Sequence, residues 1–524
     1  MNLNNNYQML VTIFSIILII STISGCLDQD EQEVDNSPSR NSLVIGISSS
    51  VFGFFPWLES YDTTTMMINM NIFNSLVEFD QILRTKPKLA TSWNNPNNLT
   101  WRFYLRENVK FHNGYNFTSE DVKYTIDLIK ANESHVLRDL LVSVKEVKII
   151  NDYTVDIITE KPCPILLNKL VDIPIASKRY IEENTKTWPI GTGAYKLVKY
   201  EPDSYIKLER FDEYWDELEV KNATFKIIEG DEEMKNATLR GEIDITYILP
   251  RYYDEVLNSS CVRVERCNHP TVVYLSFDFR ENNSVAFKFE KNPLSDIRVR
   301  KAIYYAINVT DIIDNILNGS NFAEPASQFV SPMIFGYDPN IERLPYDLEK
   351  AKELMEEAGY EEGFELVLDC HEESDDQKRI CELIQAQLSE IIDVKLNFLP
   401  IEDFFMKIMN KNSSFHIIGW LAGTGDGGEI FDYLIRTVDQ EAGIGTYNIG
   451  YYSNPEVDRI GENISHILNP EDRLDLMQEG FRIAMEDVAW VPLYIPKCIY
   501  AVAEDVAWDP GPGMHIAVEE IGFK

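Results

Sequence analysis

Apolar and polar positions change period several times along this chain, and each change marks an element. Leu43-Val44-Ile45-Gly46-Ile47 is a short continuous apolar run, which predicts a buried strand. Residues 99–105 alternate apolar and polar, the pattern of a half-exposed strand. Thr118-Ser119-Glu120-Asp121 predicts a helix start, with the helix running to about Lys130 and acids in its first turn. Ser295-Asp296 opens another helix, over 297–307. The C-terminal third is the most regular. Asp347 caps a helix that runs to Ala358 and stops at Gly359. Strands follow at 364–369, 394–399 and 415–420, separated by helices at 375–391 and 402–409, with a last helix at 429–437. This order predicts an open, mostly parallel sheet covered by helices. Ligands of such sheets sit beyond the carboxyl ends of the strands, so Gly419-Trp420 and the loop to Gly428 mark the expected site edge.

The first residues are of another kind. An uncharged, mostly apolar run over 9–23 ends in Ser24-Gly25-Cys26 and an acidic stretch. The run is short for a membrane-spanning helix and suits a signal-peptide core. Small residues before a cysteine resemble a lipoprotein signal, which implies cleavage before Cys26 and lipid attachment to it. Residues 1–25 contain no Lys or Arg, so only the amino terminus supplies positive charge there. An uncleaved anchor is the alternative. Residues 28–40 are polar and aperiodic, the composition of a tether.

Composition narrows the function classes. The formal charge of −37 falls wholly outside the first 25 residues, and so acidic a surface repels nucleic acid and anionic headgroups. Seven cysteines leave six once Cys26 carries lipid. An even number outside the cell suggests disulfides, whose connectivity the sequence leaves open. Cys370 and Cys381 flank a loop and helix start; Cys261 and Cys267 flank a short charged segment. No C-x-x-C pair or Cys/His cluster supports a metal site, and the seven histidines are scattered. Sequons recur, for example at Asn98, Asn116, Asn222, Asn236 and Asn412, as an Asn-rich chain also produces by chance.

No G-x-S-x-G, H-E-x-x-H or phosphate loop occurs, so no catalytic residue, metal or cofactor is expected. Gly423-Thr424-Gly425-Asp426-Gly427-Gly428 formally matches G-x-G-x-x-G. A dinucleotide site also needs a following strand that ends in an acid, and Val438-Asp439-Gln440-Glu441-Ala442-Gly443 is not one.

The loop belongs to a wider pattern. Ordered along the chain are Leu89-Ala90-Thr91-Ser92-Trp93, Val109-Lys110-Phe111-His112-Asn113-Gly114, Pro189-Ile190-Gly191-Thr192-Gly193-Ala194-Tyr195, Asp296-Ile297-Arg298-Val299-Arg300-Lys301-Ala302-Ile303, Gly419-Trp420, and Tyr452-Ser453-Asn454-Pro455-Glu456-Val457-Asp458. Together they resemble family 5 of the extracytoplasmic solute-binding proteins of ABC importers, which includes dipeptide-, oligopeptide- and nickel-binding proteins. The resemblance implies an α/β, two-lobed periplasmic-binding-protein fold (type II, cluster C-like), hinged between lobes, with an extra small domain. It implies a signal peptide at 1–25, a tether at 26–41, lobe I at 42–83, 187–275 and 490–524, the small domain at 84–186, and lobe II at 276–489. It implies a monomer held at the outer face of the cell membrane by lipid, carrying a peptide, nickel chelate, oligosaccharide or other small solute to a permease with separate ATPase subunits. A secreted hydrolase and an extracytoplasmic sensor or chaperone are the readings from other classes.

For the site, the expected ligand-binding residues are Trp420, Asp426, Tyr447 and Asn448. Trp420 stands at a strand end, and a core role competes with a pocket-wall role for its indole. Tyr447 and Asn448 offer hydroxyl and amide groups in a Gly-rich loop. In the peptide binders that the loop resembles, an aspartate three residues after the tryptophan pairs with the peptide amino terminus. Position 423 here is glycine, so Asp426 is the candidate substitute. Gly191 and Gly193 are read as permitting a tight turn where the chain returns to the hinge, and Arg298 and Arg300 as pairing with acids.

Overall fold

One strand, Trp490–Ala503, organises the molecule. Its first residues pair antiparallel with Thr271–Phe277, and its last with Val262–Asn268 and Ile245–Tyr247. It therefore belongs to two sheets. The computed structural model describes residues 40–58, 60, 62–184, 188–281, 291–372, 374–512 and 515–524, and 41–524 form one unit. Cys26, the signal segment and nearly all of the tether lie outside the described residues.

The two sheets are the two lobes. In lobe I the order is Tyr195–Glu201, Tyr205–Arg210, Asn222–Ile227, Ser42–Ile47, Ile245–Tyr247, then the second half of the shared strand. In lobe II it is Asp393–Leu399, Glu365–His371, Phe415–Leu421, Thr271–Phe277, then the first half. A second crossing runs through residues 268–271, where His269 N donates to the Pro496 carbonyl. A separate four-stranded antiparallel sheet, built from Ala90–Asn97, Thr100–Leu105, Thr154–Thr159 and Val144–Asn151, packs its apolar face on helix Ser119–Ala131. No helix among the described residues is long and apolar enough to cross a membrane.

Local chemistry explains the elements. Thr118 caps the helix Ser119–Ala131, and Asp121 at its third position closes a capping box. Asp347 caps Leu348–Ala358, which ends at Gly359 with φ +81°, a left-handed cap that glycine adopts without Cβ strain. The lobe II strands alternate with helices Asp375–Leu388 and Ile401–Met409 as their periodicity predicts.

Three expectations need correction. The lobe II sheet is mixed. Glu365–His371, Asp393–Leu399 and Phe415–Leu421 run parallel, but Thr271–Phe277 and the shared strand run antiparallel to their neighbours, because both are chain crossings between lobes. Gly191 and Gly193 serve close approach instead of a turn. A Cβ on either would stand 2.0–2.4 Å from the backbone of Ile72, and Gly193 N donates to the Ile72 carbonyl. Arg298 pairs with Asp296 at 2.6 Å as expected, whereas buried Arg300 donates to the carbonyls of Leu294, Ser295, Asp487 and Val488.

Candidate ligand-binding site

Strand Phe415–Leu421 ends at the lobe edge with Trp420 opposite Val272 of the neighbouring strand. The following loop turns into a single helical turn, Gly428–Ile430, and then a π-helical turn, Phe431–Ile435, where the sequence predicts a longer α-helix. Such wide turns often mark functional positions. Here the turn carries Tyr433 toward Trp420. The Trp420 ring centroid lies 5.1 Å from that of Tyr447 and 6.1 Å from that of Tyr433, and the two tyrosines are 6.0 Å apart at 82°. Tyr433 and Tyr447 stay 41% and 40% exposed, so the trio offers an accessible aromatic surface.

Glu429 fixes this surface from behind. Its Oε1 accepts from Trp420 Nε1 at 2.9 Å, and its Oε2 accepts from the Thr424 N–H and hydroxyl. Burial raises the Glu429 carboxyl above its usual range, and these hydrogen bonds oppose the shift. Beside the trio lies a cavity of about 120 Å³, lined by Tyr274, Phe405, Met409, His416, Trp420, Tyr447 and Trp490 among others. Tyr274 and Trp490 stack with centroids 3.7 Å apart. The one basic ring on this wall is His416. It is fully buried, its Nδ1 has no hydrogen-bond partner, and burial lowers its pKa to about 4. A neutral imidazole with a free nitrogen on this mostly apolar wall can act as a polar anchor, beside the hydroxyl-bearing Ser276, Tyr274 and Tyr447.

Lobe I has its own recess. A cavity of about 250 Å³ opens at the carboxyl ends of Ser42–Ile47, Asn222–Ile227 and Ile245–Tyr247, lined by Ser48, Thr63, Met67, Met234, Tyr247 and Tyr500 among others. A third, of about 320 Å³, lies between residues 142–169 and 428–473, with Lys169 and Asp432 on its walls. Across that boundary Asn168 Nδ2 donates to the Thr424 carbonyl at 2.8 Å. Gly425, at φ +67°, lets the loop approach Leu83, whose Cβ would stand 3.1 Å from an added Cβ.

Residues 84–441 match the family model described as bacterial extracellular solute-binding proteins, family 5 Middle. The chain belongs to this family. It is a non-catalytic solute-binding component of an ABC importer, of two-lobed α/β fold. It is 24% identical over 484 residues to the glutathione-binding protein GsiB of Salmonella typhi, covering 89% of this chain and 91% of that one. It is 26% identical over 496 residues to heme-binding protein A of Haemophilus influenzae, covering 87% of each. Among solved structures, HbpA2 from Haemophilus parasuis superposes with a TM-score of 0.81 at 22% identity, over 92% of this chain and 100% of that one. DppA from Helicobacter pylori in complex with the peptide STSA superposes at 0.70 and 23% identity, over 92% and 98%.

The expected site residues of this solute-binding protein part company. Trp420 and Tyr447 stand together on the open aromatic surface. Asp426 is committed to other protein groups. Its two oxygens pair with Arg473 Nη1 and Nη2 at 2.5 and 2.7 Å, and Oδ1 also accepts from Gly428 N at 2.7 Å. With side chains 6% and 5% exposed, this is a buried pair with no free place for an ammonium group. Asn448 is spent internally as well, donating to the carbonyls of Arg436 and Tyr452 and accepting from Tyr452 N. Of the glycines in the loop with the formal G-x-G-x-x-G, Gly423 has open space around it, whereas Gly427 and Gly428 serve packing. A Cβ at Gly427 would press on the Phe335 carbonyl, and one at Gly428 on Arg473. Sequence reasoning missed Glu429, Tyr433 and His416. Tyr433 is one helical turn from Glu429, a spacing that could have drawn notice.

Proposed function

We propose that this protein is anchored by lipid at Cys26 and carries a peptide, or an organic solute of similar size, to its permease. The aromatic trio of Trp420, Tyr433 and Tyr447, braced by Glu429, supports this reading most directly. It offers stacking area at a strand edge of the kind that extended ligands use, with a side-chain cavity next to it. An engineered cavity of about 150 Å³ admits benzene, so the one at Trp420 suits a branched aliphatic group or a small ring. Relatives whose names state glutathione and heme binding, and a fold neighbour solved with a peptide, are consistent with that size class.

The commitment of Asp426 to Arg473, with glycine at 423, supports recognition without an ion pair to a free α-ammonium on this loop. Isothermal calorimetry of a peptide pool and its N-acetylated counterpart tests this. Both should bind with comparable affinity. Tight binding lost on acetylation would show an acid elsewhere, and no peptide binding at all would end the peptide reading. We keep the division into lobe I at 42–83, 187–275 and 490–524, a small domain at 84–186 and lobe II at 276–489, with the difference that strand pairing favours giving 271–275 and 490–494 to lobe II and keeping the hairpin of 77–79 with 85–87 in one piece. Cys26→Ala should leave the protein unprocessed or released from membranes. Retention of a normally cut mutant would refute the anchor.

A further inference from the structure

Four of the six cysteines among the described residues stand in two facing pairs. Cys267 on strand Val262–Asn268 is the direct antiparallel partner of Cys498 on the shared strand. Opposed residues in an antiparallel pair have Cα atoms about 4.5–5.5 Å apart, inside the roughly 4.4–6.8 Å that a disulfide spans. Cys370 on strand Glu365–His371 meets Cys381 on helix Asp375–Leu388, and both are fully buried. Cys370 Sγ donates to the Leu368 carbonyl and Cys381 Sγ accepts from Gln377 Nε2, and in each pair the thiols lie close enough to perturb each other. That proximity is the largest influence on three of these thiols, drawing Cys267 down and pushing Cys498 and Cys370 up. Cys261, which the sequence sets beside Cys267, is six residues away along an extended segment. At about 3.3 Å per residue that is roughly 20 Å, too far to bond.

We propose that Cys267–Cys498 and Cys370–Cys381 are disulfides in the exported protein, and that the first is a staple at the root of the hinge. Each forms when two thiols give up two electrons and two protons to a disulfide oxidant such as oxidised glutathione, which leaves as two thiols. The extracytoplasmic compartment supplies such an oxidant, so the native oxidation state rests on the function proposed above. Cys267 and Cys498 sit on the two strands that lead from lobe I into lobe II. Bonding them fixes both strands at that level, directly before the crossings at 268–271 and 494–497, the second of which Ala323–Pro325 also pairs with. Tyr500, two positions beyond Cys498, packs edge-on against Tyr247, and both line the lobe I recess. The staple therefore also fixes one wall of the cleft. It closes a loop of about 230 residues that holds all of lobe II, where chain entropy predicts a larger stabilisation than the short Cys370–Cys381 loop gives.

The test uses the full chain extracted from membranes, alkylated in denaturant without reduction and mapped by mass spectrometry. The expected result is two linked peptide pairs, 267 with 498 and 370 with 381, and alkylated Cys163 and Cys261. If all six are alkylated, the chain is next incubated folded with oxidised glutathione. Formation of these two pairs then upholds the pairing and refutes the oxidising location. Any other linkage, or none, overturns the pairing. Dithiothreitol should lower Tm by several degrees in the wild type. Cys267→Ser should abolish most of that fall and Cys370→Ser the lesser part. A Tm indifferent to reductant would overturn the staple.

Discussion

Arg473→Met isolates the clearest energetic claim that the structure makes. In the native chain Asp426 has both oxygens on the guanidinium, with one further hydrogen bond from Gly428 N, and both partners are almost wholly removed from water. Removing Arg473 strands a buried carboxylate with a single donor. Breaking one side of a buried pair costs about 3–5 kcal/mol, a large share of the roughly 5–15 kcal/mol that holds a typical domain together. Asp426→Asn should cost less than that, because the amide keeps an acceptor for Gly428 N while Arg473 retains the Ile464 carbonyl. The double variant Asp426→Asn/Arg473→Met should be more stable than the two losses added, by about 0.5–3 kcal/mol, since both remove one interaction. Urea unfolding at pH 7 followed by circular dichroism reads all three. A midpoint for Arg473→Met within 1 kcal/mol of wild type, at unchanged slope, would refute the argument. So would a folded, undiminished Asp426→Asn that loses ligand outright, because that outcome puts the carboxylate back in the cleft.

Other outcomes follow from the same geometry. Trp420→Ala should weaken whichever ligand calorimetry identifies by about 1–3 kcal/mol through lost aromatic burial, and an unchanged Kd in a folded variant would remove it from the site. Gly423→Asp places a carboxylate where an added Cβ meets nothing within 4 Å. It should favour free-amino peptides over N-acetylated ones by roughly 1.5–3 kcal/mol, and equal binding of both would show that position 423 does not face the ligand terminus. His416 titrates near 4 when folded against 6.5 for the free side chain, so the unfolded chain binds more protons between those values. Its contribution is full above pH 6.5 and is lost as pH falls toward 4. The stability difference between wild type and His416→Phe should change by at most about 1.4 kcal/mol per pH unit there, and a pH-independent difference would mean that the ring is not desolvated. Asp121, raised to about 6 by burial, acts in the opposite direction over a similar range, which is why the comparison is made between variants.

What the sequence shows most clearly is whatever is decided within a few residues. The caps at Thr118 and at Asp347 with Gly359 are local hydrogen-bond arrangements, and they stand where the residue types place them. Trp420 is legible for a related reason, since a strand end in an alternating sheet has a defined address. Distant partners are not legible. Asp426 in a glycine loop looks like a free carboxylate because Arg473 lies 47 residues on, in another helix. Glu429 looks like an ordinary first-turn acid, and only the fold sets Trp420 and Thr424 against it. Gly191 and Gly193 look like turn residues because the helix end that they clear is formed some 120 positions earlier. The mixed sheet was hidden because an apolar strand reads alike whichever way its neighbour runs.

These contrasts separate the back of the site from its front. Behind the aromatic trio, nearly every polar group is used by another protein group: Asp426 by Arg473, Glu429 by Trp420 and Thr424, and Asn448 by Arg436 and Tyr452. Substitution there costs folding first and binding second, since each buried polar atom would lose its partner. On the front, Gly423 faces open space, Tyr433 and Tyr447 are half exposed, and His416 has an unused nitrogen at the cavity wall. Those positions can change without unmaking the loop. A scaffold divided in this way can keep one fold while the solute changes, because the braced layer fixes where Trp420 stands and the open layer decides what it meets. The relatives at about a quarter identity, with names that state different ligands, are what such a division allows.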